Sequence, residues 1–334
     1  MSMISLGDLA QSFMLRRQNT DLKADLQRLS TELSTGTAVD TGKHVGGDYS
    51  PLAGIDASLS RLLGYKSTTT EAGLLSGAMQ TVLETVEGMT SSLGPQLLSA
   101  SSGTTATQVN AVGVEARQQL QTAMALYNTG LAGRSLFSGI ATDRAAMIDT
   151  ETLLTTLDTE LIGAVSGADV ASRVNAWFDA PTGYAATGYL GDDPLSPLAV
   201  APGDTADLGF TAADPGIRDT LKGLVMAALL DRGALAGNAS ARADLARRAG
   251  ESLISSATAR ADMSARLGTV QGQIEAASVR NSAETSALQI SRNGITAADP
   301  YETASRLEAT RQQLETLYTL TARISRLSLV DFLR

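Results

Sequence analysis

The sequence predicts a mainly α protein. Long antiparallel helices or a coiled coil come from both chain termini, with a small β-containing domain inserted between the helical halves. Three observations carry this. Apolar residues recur at alternating steps of three and four at both ends of the 334 residues, which places them on one helix face. Uninterrupted helical patterns run for tens of residues between short Gly- and Pro-bearing breaks. The stretch from Ile140 to Thr220 differs from the rest, with thirteen acidic residues against three basic ones and five of the eight prolines.

The stretch from Asp299 begins with Pro300, and proline fits the first turn of a helix, where its missing N–H is not needed. Leu307, Leu314, Leu317 and Ile324 follow on one 3-4 repeat, whose other positions hold Thr310, Thr321 and Ser328. Leu327, Leu329, Phe332 and Leu333, with Tyr318 and Leu320, fall outside that stripe, so a single partner helix would not cover this helix. At the other end Leu15, Leu22, Leu26, Leu29 and Leu33 form the matching stripe. Asn19 occupies a seam position, where a polar residue can set register. These two leucine sets are the predicted assembly interface.

Thr35 to Pro51 breaks the first helix with four glycines, and Asp48 and Ser50 are candidate caps for the next. A helical pattern then runs from Leu52 to about Leu98. Its Gly64, Gly73, Gly77 and Gly88 point to close helix contacts or to kinking. Gly94-Pro95 and the Ser/Gly/Thr run after it read as a break, before a helix from about Thr107 to Tyr127. Ile140 to Thr220 reads as short strands and turns with one helix near Thr150 to Val165. Leu221 to Leu230 is a short apolar helix. A long helix is expected from near Asn238 to Ile290, interrupted in its stripe by Asn281 and Glu284 and stopped by Arg292-Asn293-Gly294.

Composition narrows the function. The net charge of −9 argues against nucleic acid as a partner, and no apolar run reaches the roughly 20 residues of a membrane span. With no cysteine and a single histidine, thiolate chemistry and a His/Cys metal cluster are ruled out. His44 reads as an ordinary loop residue. Gly36 to His44 fails as a phosphate loop, with five residues between Gly36 and Gly42 and His44 where a hydroxyl is needed. Asp192-Asp193 before Pro194 reads as a solvated turn, and Asn238-Ala239-Ser240 as a helix cap rather than a glycosylation site. No catalytic residue, metal site or cofactor is predicted.

Three segments carry a resemblance. Leu29-Ser30-Thr31-Glu32-Leu33-Ser34-Thr35-Gly36 resembles the Leu-Ser-Thr-Gly segment of bacterial flagellins and their relatives. Gly133-Arg134-Ser135-Leu136-Phe137-Ser138-Gly139 resembles the Leu-Phe-Ser-Gly turn after the first long helices of that superfamily. Leu327-Ser328-Leu329-Val330-Asp331-Phe332-Leu333 resembles the ending of its hook-filament junction branch.

The resemblance implies a structural subunit, not an enzyme, that joins hook to filament, with a flagellin filament subunit as the alternative. It implies a terminal assembly domain (1–45 and 295–334), a helical stem (46–139 and 220–294) and an outward-facing acidic insertion (140–219). The implied partners are an upstream hook-associated protein, flagellin, further copies in a ring, and a cytoplasmic export chaperone. The start of the chain has no basic segment, and Asp8 interrupts its first apolar stretch, so it does not read as a cleavable signal. Extracellular placement would then require the flagellar type III apparatus. A coiled-coil signalling or scaffolding protein is the reading from another class.

Overall fold

A computed structural model of the chain describes residues 6–102 and 106–332, with side-chain surroundings for 10–102 and 106–324. Its elements in order are helices α1 (Leu6–Thr35), α2 (Thr41–His44), α3 (Ser50–Ser102) and α4 (Ala106–Tyr127), strands β1 (Gly130–Leu131) and β2 (Arg134–Ser135), helices α5 (Thr150–Glu160) and α6 (Gly167–Asp179), a π-helical turn (Tyr184–Gly188), strands β3 (Leu198–Ala201) and β4 (Asp204–Ala206), and helices α7 (Pro215–Asp231), α8 (Ala239–Ser255), α9 (Ala257–Thr296) and α10 (Pro300–Phe332). The fold class expected from the sequence is the one observed. The only sheets among the described residues are the two-stranded antiparallel ladders β1-β2 and β3-β4. No described helix is long and apolar enough to cross a membrane. The chain divides into two compact units, Met1–Arg61 with Ala283–Arg334 and Leu62–Ser282.

The larger unit is built around one apolar core. α7 is its centre: from Leu221 to Leu230 only Lys222 is not buried, and α4 and α8 pack against it. Asp214 and Pro215 open α7 and Asn238 caps α8, its side-chain oxygen accepting from the Ala241 N–H at 3.1 Å. The Asn-Ala-Ser triplet is therefore a cap, as expected. α3 supplies fully buried Val86, Leu93 and Leu97.

Three helix boundaries differ from expectation. α3 runs straight through Gly94-Pro95. The proline leaves one helical carbonyl without its donor, but Leu93 and Leu97 on either side are fully buried, and tertiary packing outweighs the local penalty. The long helix after Asn238 is two, α8 and α9, broken at Ser256. α9 also continues past Gly294 to Thr296, where the chain enters a bridge with Thr37.

The glycines separate into two kinds. At the α3–α8 crossing a Cβ on Gly250 would lie 2.8 Å from the Gly94 carbonyl oxygen, a backbone atom that cannot rotate away. Gly250→Ala is therefore expected to destabilise the fold by about 1–3 kcal/mol, read as a lower chemical-denaturation midpoint. Gly64, Gly77 and Gly88 have nothing within 4 Å of a Cβ position, and Gly73 only Ile274 Cγ2 at 4.0 Å. Close packing within the chain does not account for them.

The stretch 140–219 is more helical than the sequence suggested. α6 was not expected. It starts with a capping box, in which Ser166 Oγ accepts from the Asp169 N–H and the Asp169 carboxylate accepts from the Ser166 N–H. Its Trp177 and Phe178 join Tyr184 in an aromatic cluster with centroids 5.0–6.0 Å apart. Leu208-Gly209-Phe210 is not a strand; Leu208 and Phe210 are buried by packing instead. Asn281 breaks the α9 stripe because its buried amide donates to the Val200 carbonyl of β3 at 2.8 Å.

Burial pushes the Tyr127 and Tyr184 phenols well above the ordinary tyrosine range. The Tyr184 hydroxyl donates to the Ala212 carbonyl at 2.9 Å, while the Tyr127 hydroxyl has no hydrogen-bond partner among the described residues. Above pH of about 10 the unfolded chain loses protons that the folded chain keeps. Stability from these two groups is thus complete below that pH and falls as pH rises beyond it. Tyrosinate absorbance followed with circular dichroism should show both residues ionising only as the fold opens. Tyr127→Phe removes an unpaired buried hydroxyl and is expected to leave thermal stability unchanged or slightly raised.

Candidate assembly interface

The terminal helices form the smaller unit. Gly36 ends α1 with φ +71°, and its N–H donates to the Glu32 carbonyl at 2.8 Å. The next residues tie the two chain ends together: the Ala38 N–H donates to the Thr296 carbonyl at 2.9 Å and the Ala298 N–H to the Gly36 carbonyl at 3.0 Å, around an antiparallel bridge between Thr37 and Ala297. Asp299 then caps α10, its Oδ1 accepting from the Tyr301 and Glu302 N–H groups at 2.8 and 2.9 Å. With α1 ending and α10 beginning at this tie, the helices run antiparallel and pack along each other.

Most of the predicted repeat packs within the chain. On α10 Leu307, Thr310, Leu314, Leu317 and Ile324 are buried or half-buried, with Leu317 at 5% exposure, as is Thr303 before them; Thr321 is exposed, and Ser328 lies where only the backbone is described. On α1 Leu15, Asn19, Leu22 and Leu26 are half-buried and Leu29 is 3% exposed. Leu33 departs from the stripe at 40% exposure. Glu32 takes the inward position: its Oε1 accepts from the Val39 N–H at 3.1 Å and from Arg28, which also pairs with Asp25. A carboxylate that caps the turn after the helix outcompetes the leucine one residue on. Leu327, Leu329 and Phe332 belong to the last turns of α10, where only the backbone is described, and Leu333 lies outside the described residues.

The pair leaves apolar side chains in water. Phe13 and Met14 are 68% and 69% exposed, and Tyr318 and Leu320 are 45% and 47% exposed. Phe13 and Met14 were missed in the sequence reading, although they sit beside Leu15. Among the described side chains of α1 and α10 only two apolar ones, Leu29 and Leu317, are fully buried. At about 1.5–3 kcal/mol per buried leucine, the two helices hold each other weakly against the entropy of ordering them.

The motifs tested for chemistry resolve into structure. In the Leu-Phe-Ser-Gly turn, Leu136, Phe137 and Ser138 are buried, and Phe137 meets Tyr127 edge-on with centroids 5.6 Å apart. Ala132 and Gly133, both at positive φ, make the two-residue turn from β1 to β2 that delivers them. Asp192 and Asp193 act largely through their backbones, the Asp192 N–H donating to the Ser138 carbonyl at 3.0 Å and the Asp193 carbonyl accepting from the Ile140 N–H at 2.9 Å. Among the described residues no cluster of three or more His, Cys, Asp or Glu could hold a metal ion. His44 ends the four-residue α2.

The architecture is a helical fold in which α1 and α10 come together and present apolar side chains to solvent. Comparison with known proteins gives that class a context. Residues 253–333, which hold the end of α8 and all of α9 and α10, match the family described as the bacterial flagellin C-terminal helical region. The fold is similar to a solved structure described as a flagellar hook-associated protein from Vibrio parahaemolyticus, with a TM-score of 0.51 and 16% identity over 73% of this chain and 95% of that one. No curated protein matches the chain.

Proposed function

We propose that this chain is a structural subunit of the bacterial flagellum that joins hook to filament, and that it works by packing rather than by catalysis. The observation that carries the reading is the terminal pair: α1 and α10 bury few of their apolar side chains against each other and expose Phe13, Met14, Tyr318 and Leu320. Helices of this kind gain their stability from neighbours. The seam from Leu15 to Leu29 and from Leu307 to Ile324 holds the pair together, and the exposed Phe13, Met14, Leu33, Tyr318 and Leu320 beside it would contact the same helices of adjacent subunits. The flagellin-like region lies over α9 and α10, and the junction role rests on the resemblance of Leu136-Phe137-Ser138-Gly139 and of Leu327 to Leu333 to the hook-filament junction branch. In this reading the protein leaves the cell through the flagellar export apparatus with a chaperone's help. It assembles as a ring between an upstream hook-associated protein and flagellin, with residues 140–219 facing outward.

A strain lacking the gene tests this. Intact hooks with filaments shed into the medium are expected by electron microscopy. Hooks that carry attached filaments of normal length would overturn the junction role. Hooks bare of filament, with no filament protein in the medium, would instead support a flagellin, the reading that the C-terminal family match favours. In the dilute purified chain, amide hydrogens of α1 and α10 are expected to exchange far faster than those of α4 and α7. Equal protection in all four helices would contradict the need for neighbours.

A further inference from the structure

We infer that Met14 is an oxidation site, and that turning its thioether into the sulfoxide closes this part of α1 to neighbouring subunits. The inference rests on the reading of the chain as an assembling subunit and adds chemical control of one contact residue. Methionine carries all the sulfur of this chain, since the sequence has no cysteine. No thiol therefore stands ahead of the thioethers as a target for an oxidant. Burial then separates one described methionine from the rest. Met14 is 69% exposed. Met79, Met124, Met147, Met226 and Met263 lie in the core of the larger unit at 1–2% exposure, and Met89 is half-buried. The buried thioethers meet a dissolved oxidant only when the core opens.

Position gives the reaction a consequence. Met14 lies 23 residues before Thr37, and Leu320 lies 23 residues after Ala297, the bridge partner of Thr37. On two antiparallel helices of equal rise the two residues stand level, about 35 Å from the tie. Leu320 is 47% exposed and Phe13, beside Met14, 68%. Both helices thus offer apolar side chains at one height, and an unbranched, polarizable thioether can fill an irregular contact there. Hydrogen peroxide supplies the oxygen. The sulfur lone pair attacks one peroxide oxygen, the O–O bond breaks, an S–O bond forms, and the other oxygen leaves as water after a proton shift. Sulfur gives up two electrons and the peroxide takes them. The product is a polar acceptor where apolar contact was on offer, and covering it without a donor is unfavourable. Methionine sulfoxide reductases reverse the step, so the change can act as a switch.

Two measurements test this. In the purified full-length chain treated with hydrogen peroxide and mapped by peptide mass spectrometry, sulfoxide at Met14 is expected to form at least about tenfold faster than at any of the five buried methionines. Comparable rates overturn the inference. Met14→Gln places a permanent polar group of similar length on α1, and Met14→Leu an apolar one that peroxide does not oxidise; both keep every other methionine. By immunogold labelling of cell-borne hooks, Met14→Gln is expected to be incorporated about tenfold less than wild type and Met14→Leu normally, with the melting of the larger unit unchanged in both. Normal incorporation of Met14→Gln, or equal loss in both variants, overturns the inference and leaves the hook-filament reading standing. Hooks bare of wild-type label would sink that reading and the consequence drawn from it, while the oxidation rates, read on purified protein, decide the site separately.

Discussion

Arg260→Ala is expected to lower the stability of the larger unit by about 3–5 kcal/mol, a fall of roughly 10 °C in its melting temperature. Arg260 sits on the first turn of α9, just past the break at Ser256, with its side chain 5% exposed. Its guanidinium donates to Ser256 Oγ at 2.6 Å, Thr220 Oγ1 at 3.2 Å and the Leu253 carbonyl at 3.3 Å, and pairs with Glu87. One buried cation thereby joins α3, α7, α8 and α9 at the point where the helix axis is interrupted. Removing it leaves Thr220, Ser256 and a carbonyl short of a donor in a dry site. Arg260→Met, which keeps the volume without the charge, should cost less than the alanine variant. Equal melting temperatures for wild type and Arg260→Ala by calorimetry would refute the assignment.

Leu29→Asp is expected to abolish incorporation into the flagellum while leaving the melting of the larger unit unchanged. Leu29 is the most buried apolar side chain described on α1, and Glu32, one turn on, is also buried. A second carboxylate there meets both desolvation and like charge, a penalty of several kcal/mol against a pair held by little more than that. Leu33→Asp, at a position the structure turns outward, should leave the isolated pair intact and act only if neighbours cover it. Immunogold labelling of cell-borne hooks, beside calorimetry of the purified variants, separates the two. Normal labelling with Leu29→Asp would refute the assembly role of the terminal seam.

The seam was legible because it is periodic. The Leu307, Thr310, Leu314, Leu317 and Ile324 repeat, with Leu15 to Leu29 opposite, needs only the helical period to be read. The pattern did not foresee Leu33 turning outward, because the competing group is a carboxylate seeking the Val39 N–H across a turn. Pro95 and Gly294 misled for a related reason. Both are local signals, and long-range packing or a bridge to the distant Thr37 decided the outcome. The α8–α9 break at Ser256 carries neither glycine nor proline. Its sequence cue was a buried arginine in an otherwise apolar stripe, and that becomes meaningful only once Glu87, 173 residues earlier, is in place. Asn281 is similar, an interruption in one helix explained by a hairpin residue 81 positions away.

The tie between Gly36–Ala38 and Thr296–Ala298 has a temporal consequence. During synthesis α1 cannot meet α10 until α10 has been made, since the closing contacts join residues about 260 positions apart. Such distant partners meet slowly unless the intervening residues have already condensed and shortened the search. The larger unit, made wholly of intervening residues, is therefore expected to fold first and the α1–α10 pair last, so a nascent chain keeps α1 unzipped until α10 has emerged.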